Sequence, residues 1–192
     1  MMTIEEEKSR QGKTFKMLLL FGMVSIFMIF AGLSSGFVVS RSRPDWIQDF
    51  QLPLAFTFST LAILVSSFTF HFALKAMKEN KRNLTTIFLL VTLVLGISFI
   101  LLQFAGFSQV VASGYFFTGS ESSITTSFLY IMVIVHIAHL LGGIISLIIV
   151  IYNHFKQKYN ATQTLGIELS GMYWHFMDLI WILLFIFFYF YK

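Results

Sequence analysis

The stretch TSFLYIMVIVHIAHLLGGIISLIIVIY, residues Thr126–Tyr152, settles what kind of protein this is. Its twenty-seven residues include no Asp, Glu, Lys or Arg. At 1.5 Å rise per residue such a helix reaches about 40 Å, more than the roughly 30 Å of a bilayer's hydrocarbon. Four further runs of the same character accompany it: Phe15–Val39, Leu52–Leu74, Leu84–Ala105 and Ser170–Tyr191. Short polar connectors separate them, with one longer stretch around Ser108–Thr125. The expectation is an all-α integral membrane bundle of five transmembrane helices. It forms a single domain over residues 15–192, behind an N-terminal segment 1–14. The first run is too long for a signal-peptide core and is expected to stay in place as an anchor.

Composition agrees. Of 192 residues, 57% are hydrophobic and 11% charged, with a mean hydropathy of +0.80. A soluble domain carries about 25% charged residues, so most of this chain has lipid as its solvent. The absence of cysteine excludes disulfides, thiolate metal sites and thiol nucleophiles. A net charge of +4 could suggest a nucleic-acid partner, but the basic residues lie between the apolar runs, where they report orientation. Lys8, Arg10, Lys13 and Lys16 precede span one; Lys75, Lys78, Lys81 and Arg82 follow span two; Lys156 and Lys158 follow span four. Only Arg41, Arg43 and Lys192 fall on the other side. This bias places the N-terminus in the cytoplasm and the C-terminus outside. Trp46 and the aromatic tail Phe187–Tyr191 fit an outer interfacial belt.

Ionisable groups inside apolar spans are costly and need a protein, water or lipid partner. Here they are His71, His136, His139, Glu168, His175 and Asp178, with the polar Gln103. His136 and His139 are three apart and share a helical face, followed at once by Gly142 and Gly143, which admit a close neighbour. Interhelical hydrogen bonding is the favoured reading of this pair; metal ligation would need further ligands. His175 and Asp178 are also one turn apart, and Glu168 lies two turns before His175, so the three can line one strip. A structural hydrogen-bond network is favoured over proton handling. A haem held between two histidines is a further alternative. Only His71 and His175 match in depth, since His139 lies about 20 Å from the inner end of its span and His175 about 8 Å. A small transporter would show broken helices, whereas Pro44 and Pro53 sit in a loop and at a span entrance.

Tyr173-Trp174-His175-Phe176-Met177-Asp178-Leu179-Ile180-Trp181 resembles the signature Tyr-Trp-His-Phe-Val-Asp-Val-Val-Trp in the last helix of subunit III of haem-copper oxidases such as cytochrome c oxidase. Glu168, the pair His136 and His139 with Gly143, the series Leu95-Gly96, Phe99 and Gln103, and the loop residues Glu79 and Arg82 also fall in the family's order. The sequence departs at Ile26, where a carboxylate often follows the serine. It departs again at Gly106-Phe107, in place of Glu-Tyr, and at Ile134 and Val135, in place of threonine and glycine. The resemblance implies a non-catalytic, five-helix bacterial subunit in the cytoplasmic (inner) membrane, with no haem, copper or catalytic residue of its own. It would pack on subunit I, which carries haem and copper, near subunit II, with small subunits or a respiratory supercomplex as further partners. It would bind phospholipid and support proton uptake during oxygen reduction. The polar residues put forward for lipid contact and helix cohesion are His71, Arg82, His136, His139, Glu168, Trp174, His175 and Asp178. The signature leans toward cytochrome c as electron donor, with quinol as the alternative.

Overall fold

In the computed structural model, residues 4–47, 52–119 and 122–190 are described. Five long helices account for nearly all of them: α1 (Ile4–Val39), α2 (Leu54–Lys78), α3 (Arg82–Ala112), α4 (Ile124–Phe155) and α5 (Leu165–Phe190). Each is long and apolar enough to cross a membrane. The last residues of the fifth expected span, Tyr191 and Lys192, lie outside the described residues.

The five spans appear where hydropathy places them, but the helices overrun the apolar runs. α1 begins eleven residues ahead of Phe15, because the helix continues through the charged segment before it. α3 runs seven residues past Ala105, taking in part of the stretch expected to be a connector. No proline interrupts it there, and Gly106 lets the ring of Phe56 lie against the helix: a Cβ at Gly106 would come 2.8 Å from Phe56 Cε1. The residue that departs from the family pattern is therefore the one that makes room for Phe56. α5 starts five residues before Ser170, which places Glu168 in its first turn, a favourable position for a negative charge.

Three helix ends close in the same manner. After α2, α3 and α4, one residue takes a left-handed conformation: Asn80 (φ 61°), Gly114 (φ 84°) and Gln157 (φ 57°). The following amide then donates back to the last turn, in the bonds Lys81 N to Ala76 O, Tyr115 N to Val110 O and Lys158 N to Asn153 O. At its start, α4 is held by a reciprocal cap between Ser123 and Thr126, in which each backbone amide donates to the other's hydroxyl.

α2 and α3 form a tight antiparallel hairpin around the Glu79–Lys81 turn. α5 packs against α2, α4 and α1, and α3 closes the ring against α4. α1 lies outside this ring on α4 and α5, with only 11% of its apolar stretch buried against 44% for α5. The core is aromatic: Trp174, Trp181, Phe56, Phe70 and Phe99 are all essentially inaccessible. Gly96 on α3 allows this, since a Cβ there would sit 2.6 Å from Trp174 Cη2. In lipid, helix association rests on such close packing and on interhelical hydrogen bonds, because leaving the lipid brings no hydrophobic gain.

Candidate functional site

The polar groups sort into two zones. One lies at the basic end, where α1 begins, α2 and α4 finish and α3 and α5 start. The Glu168 carboxylate accepts from Lys16 Nζ at 2.6 Å and pairs with Lys78 Nζ at 3.0 Å, while the Thr164 hydroxyl donates to it at 3.0 Å. One carboxylate thereby ties α1, α2 and α5 together. Nearby, Arg82 at the start of α3 donates through Nη2 to the carbonyl of His154 (2.9 Å) and through Nη1 to that of Tyr159 (3.4 Å). A cation on the open carbonyls of a helix C-terminus satisfies acceptors that the helix itself cannot. The His154 ring is buried, with Nε2 2.8 Å from the Thr86 hydroxyl.

The second zone is mid-bundle, where neutral side chains make the cross-links. Trp174 Nε1 donates to Ser66 Oγ (3.1 Å), Trp181 Nε1 to Thr60 Oγ1 (2.9 Å) and Gln103 Nε2 to Ser59 Oγ (2.8 Å). The hydroxyls of Thr69 and Thr92 meet at 2.8 Å. All four bonds engage a small hydroxyl residue of α2, which accepts in the first three.

The strip expected from Glu168, His175 and Asp178 does not form one network. Glu168 is taken by the lysines, and His175 Nδ1 lies 2.6 Å from Ser67 Oγ on α2. Asp178 is 2% exposed, and neither carboxylate oxygen has a hydrogen-bond partner among the described residues; Ser67 stands beside it. α2 reaches His175 because it packs against α5, which turns the imidazole toward a neighbouring helix instead of toward Asp178 on its own.

The expectation for His136 and His139 is corrected in a similar way. Their contact is tight, but the imidazoles do not carry the interhelical bond. His136 is fully buried among Phe30, Phe99 and Trp181, with ring centroids 5.2–6.2 Å away. Neither of its ring nitrogens has a partner among the described residues. His139 turns Nδ1 to the carbonyl of Val135, one turn back on its own helix. The bond that does cross runs from the Tyr173 hydroxyl to the backbone carbonyl of His139 (2.9 Å), over Gly143. Among the described residues no three His, Asp or Glu side chains gather around a common metal position.

His71 is exposed on α2 and shares with His175 a groove of about 270 Å³ that also touches Lys16, Leu74 and Met172. Four residues that sequence reasoning did not single out prove central: Lys16, Ser67, His154 and Tyr173. The two at the basic end carried only a charge-bias or span-end signal. Ser67 carried none and Tyr173 only its place at the head of the last-helix signature, because their roles depend on which helix faces them.

Against known proteins, the family model for cytochrome c oxidase subunit III matches residues 7–192. The chain belongs to that family. Relatives of this subunit III chain include the probable quinol oxidase subunit 3 of Staphylococcus haemolyticus, 33% identical over 71% of this chain and 66% of the relative. The cytochrome c oxidase subunit 3 of Alkalihalophilus pseudofirmus is 30% identical over 84% of this chain and 75% of its own length. The cytochrome bo(3) ubiquinol oxidase subunit 3 of Pseudomonas putida is 31% identical, with shares of 84% and 74%. The matched part thus spans just under two thirds of the first relative and about three quarters of the other two. The subunit III assignment gives the mid-bundle zone its meaning: the Tyr173–Trp181 signature is the surface of α5 that seals against α2, α3 and α4.

Proposed function

We propose that this chain is a non-catalytic subunit III of a bacterial haem-copper terminal oxidase. It packs on the haem- and copper-bearing subunit I, in the company of subunit II and any smaller subunits or supercomplex partners. It holds phospholipid and sustains proton uptake while oxygen is reduced and protons are pumped. It lies in the cytoplasmic membrane with its basic end, and so its N-terminus, on the cytoplasmic side. The observation that carries the non-catalytic reading is how the polar side chains are used. Apart from His139, which bonds its own helix, those singled out above that have partners spend them on neighbouring helices or at helix ends, and among the described residues none converge on a common substrate position. Cytochrome c is the preferred donor on the Tyr173–Trp181 signature, and quinol is the alternative, since relatives named for both carry comparable similarity.

The test is the behaviour of the assembled oxidase. Purification by a tag on this chain is expected to bring down a haem-copper subunit I. His175→Ala, which removes the partner of Ser67, is expected to leave the initial rate of oxygen consumption near wild type and to shorten the number of turnovers before activity decays. Immediate, complete loss of oxygen reduction in a fully assembled complex overturns the reading. So does a stoichiometric haem spectrum in the chain purified alone.

A further inference from the structure

Arg82, Thr86 and His154 close a ring of hydrogen bonds at the basic end, and the place of each proton in it follows from the geometry. The Arg82 guanidinium donates to the backbone carbonyl of His154 at 2.9 Å, and the Thr86 hydroxyl donates to the carbonyl of Arg82 at 3.0 Å. The imidazole of His154 meets that same hydroxyl through Nε2 at 2.8 Å. A hydroxyl has one hydrogen, and Thr86 spends it on Arg82, so Nε2 is the donor to Thr86. Nδ1 agrees: it is buried with no partner among the described residues, and a hydrogen there would go unmet. His154 is therefore the neutral tautomer protonated at Nε2. What the ring fastens is the connection between α4 and α5. Arg82 also donates to the carbonyl of Tyr159, and the Tyr159 ring lies over Gly166 in the first turn of α5, where a Cβ would come 3.0 Å from Tyr159 Cε1.

We propose that this ring is an acid-sensitive latch, which holds the connection of residues 156–164 in place while His154 is neutral and releases it when His154 takes a second proton. That proton can enter only at Nδ1, because Nε2 already carries one. The imidazolium then has a buried N–H without an acceptor and a positive charge beside the guanidinium that caps its own helix. Turning the ring outward relieves both, and it breaks the Thr86 bond and the seat of Arg82 on the two carbonyls. No neighbouring anion offsets the charge. Arg82 faces the ring from α3, Lys156 lies over the ring of Tyr152, and Lys158 lines the groove beside α1. The carboxylates at this end are taken, Glu168 on α5 by Lys16 and Lys78 and Glu79 before α3 by Lys81. His154 lies two residues past the apolar run that ends at Tyr152. Burial first, and the Arg82 guanidinium second, hold its imidazole below the ordinary value. The latched form is thus the one that resists the proton. Its contribution is whole above the free imidazole value of about 6.5 and is lost as pH falls below it.

The experiment is hydrogen exchange by mass spectrometry on the chain purified with whatever subunits accompany it, at pH 7.5, 6.5 and 5.5. Exchange is expressed as protection factors, so that the intrinsic pH dependence of amide exchange cancels. Protection of residues 156–164 is expected to fall about tenfold between pH 7.5 and 5.5 in wild type, as one proton taken up on opening requires. The middle of α4 serves as the internal reference and is expected to stay constant. His154→Gln keeps an N–H donor for Thr86 and takes no proton, and its protection is expected to stay level across the range. Thr86→Val, which removes the acceptor and keeps the volume, is expected to show the connection already open at pH 7.5 with little further change in acid. Flat protection in wild type overturns the latch. So does a fall that persists in His154→Gln, since the titrating group then lies elsewhere. Should that variant fail to assemble, Thr86→Val decides, and wild-type protection in it at pH 7.5 overturns the proposal.

Discussion

The basic end and the middle of the bundle hold the same helices together by opposite means. At the basic end, charged side chains with half-exposed lysines bridge α1, α2 and α5 through Glu168, and Arg82 ties α3 to the close of α4. Mid-bundle, neutral indoles reach small hydroxyls, and a glycine takes the flat of a tryptophan. The difference follows the solvent. Near the interface, water and headgroups make charge affordable, and a surface ion pair contributes little, about 0–1 kcal/mol. In hydrocarbon a charge is expensive, so association rests on shape and on neutral hydrogen bonds, each adding about 0.6 kcal/mol.

Gly96→Leu presses hardest on the mid-bundle side of this contrast. A Cβ already meets the Trp174 ring at 2.6 Å, so a larger side chain must push α3 from α5, at a cost of about 3 kcal/mol. The expected outcome is little or no subunit retained in the purified complex, read by subunit stoichiometry; normal retention would show that the packing is soft. Trp174→Phe comes next, losing the Ser66 bond and part of the ring's volume, for about 1–2 kcal/mol in thermal unfolding in detergent. Ser66→Ala, which removes only the hydrogen bond, should cost less than half of that. Glu168→Gln tests the other zone. It should lower stability by under about 1 kcal/mol, and 1 M salt should erase the difference from wild type, while the cost of Trp174→Phe stays constant in salt. A salt-independent cost at Glu168 would mean that the cluster is effectively buried and that the two zones do not differ in kind.

The smallest effect belongs to Glu79, in the exposed turn between α2 and α3. The Lys81 ammonium beside it holds its carboxyl below the usual carboxylate range. A depressed carboxyl contributes stability above its unfolded value and loses it as pH falls through the folded one. Glu79→Gln should therefore match wild type once the medium is acid enough to protonate the group, and differ only marginally at neutral pH.

Reading the chain by hydropathy located all five helices, because a run of uncharged residues long enough to cross a bilayer has few other fates. It missed their ends, since helix propensity and capping at Asn80, Gly114 and Gln157 carry on where hydropathy stops. In the site, the sequence marked Glu168, His175 and Asp178 as neighbours along one helix, and they are. Their partners lie on other helices: Lys16, Lys78 and Ser67 are between 90 and about 150 residues away in the chain, and no spacing rule reaches that far. Arg82 was legible as a basic residue at a membrane boundary, yet the carbonyls it serves belong to the end of α4.

The linear order of residues determined the solvent, the number of spans and the family signature on the last helix, because each depends on local composition alone. Which face of each helix meets which neighbour was decided only by tertiary packing. In a bundle that is apolar on every side, periodicity does not distinguish a lipid-facing stripe from a buried one. The choice fell instead to a few close fits, Gly96 under Trp174 and Gly106 under Phe56 foremost among them, whose consequence appears only when the helices are side by side.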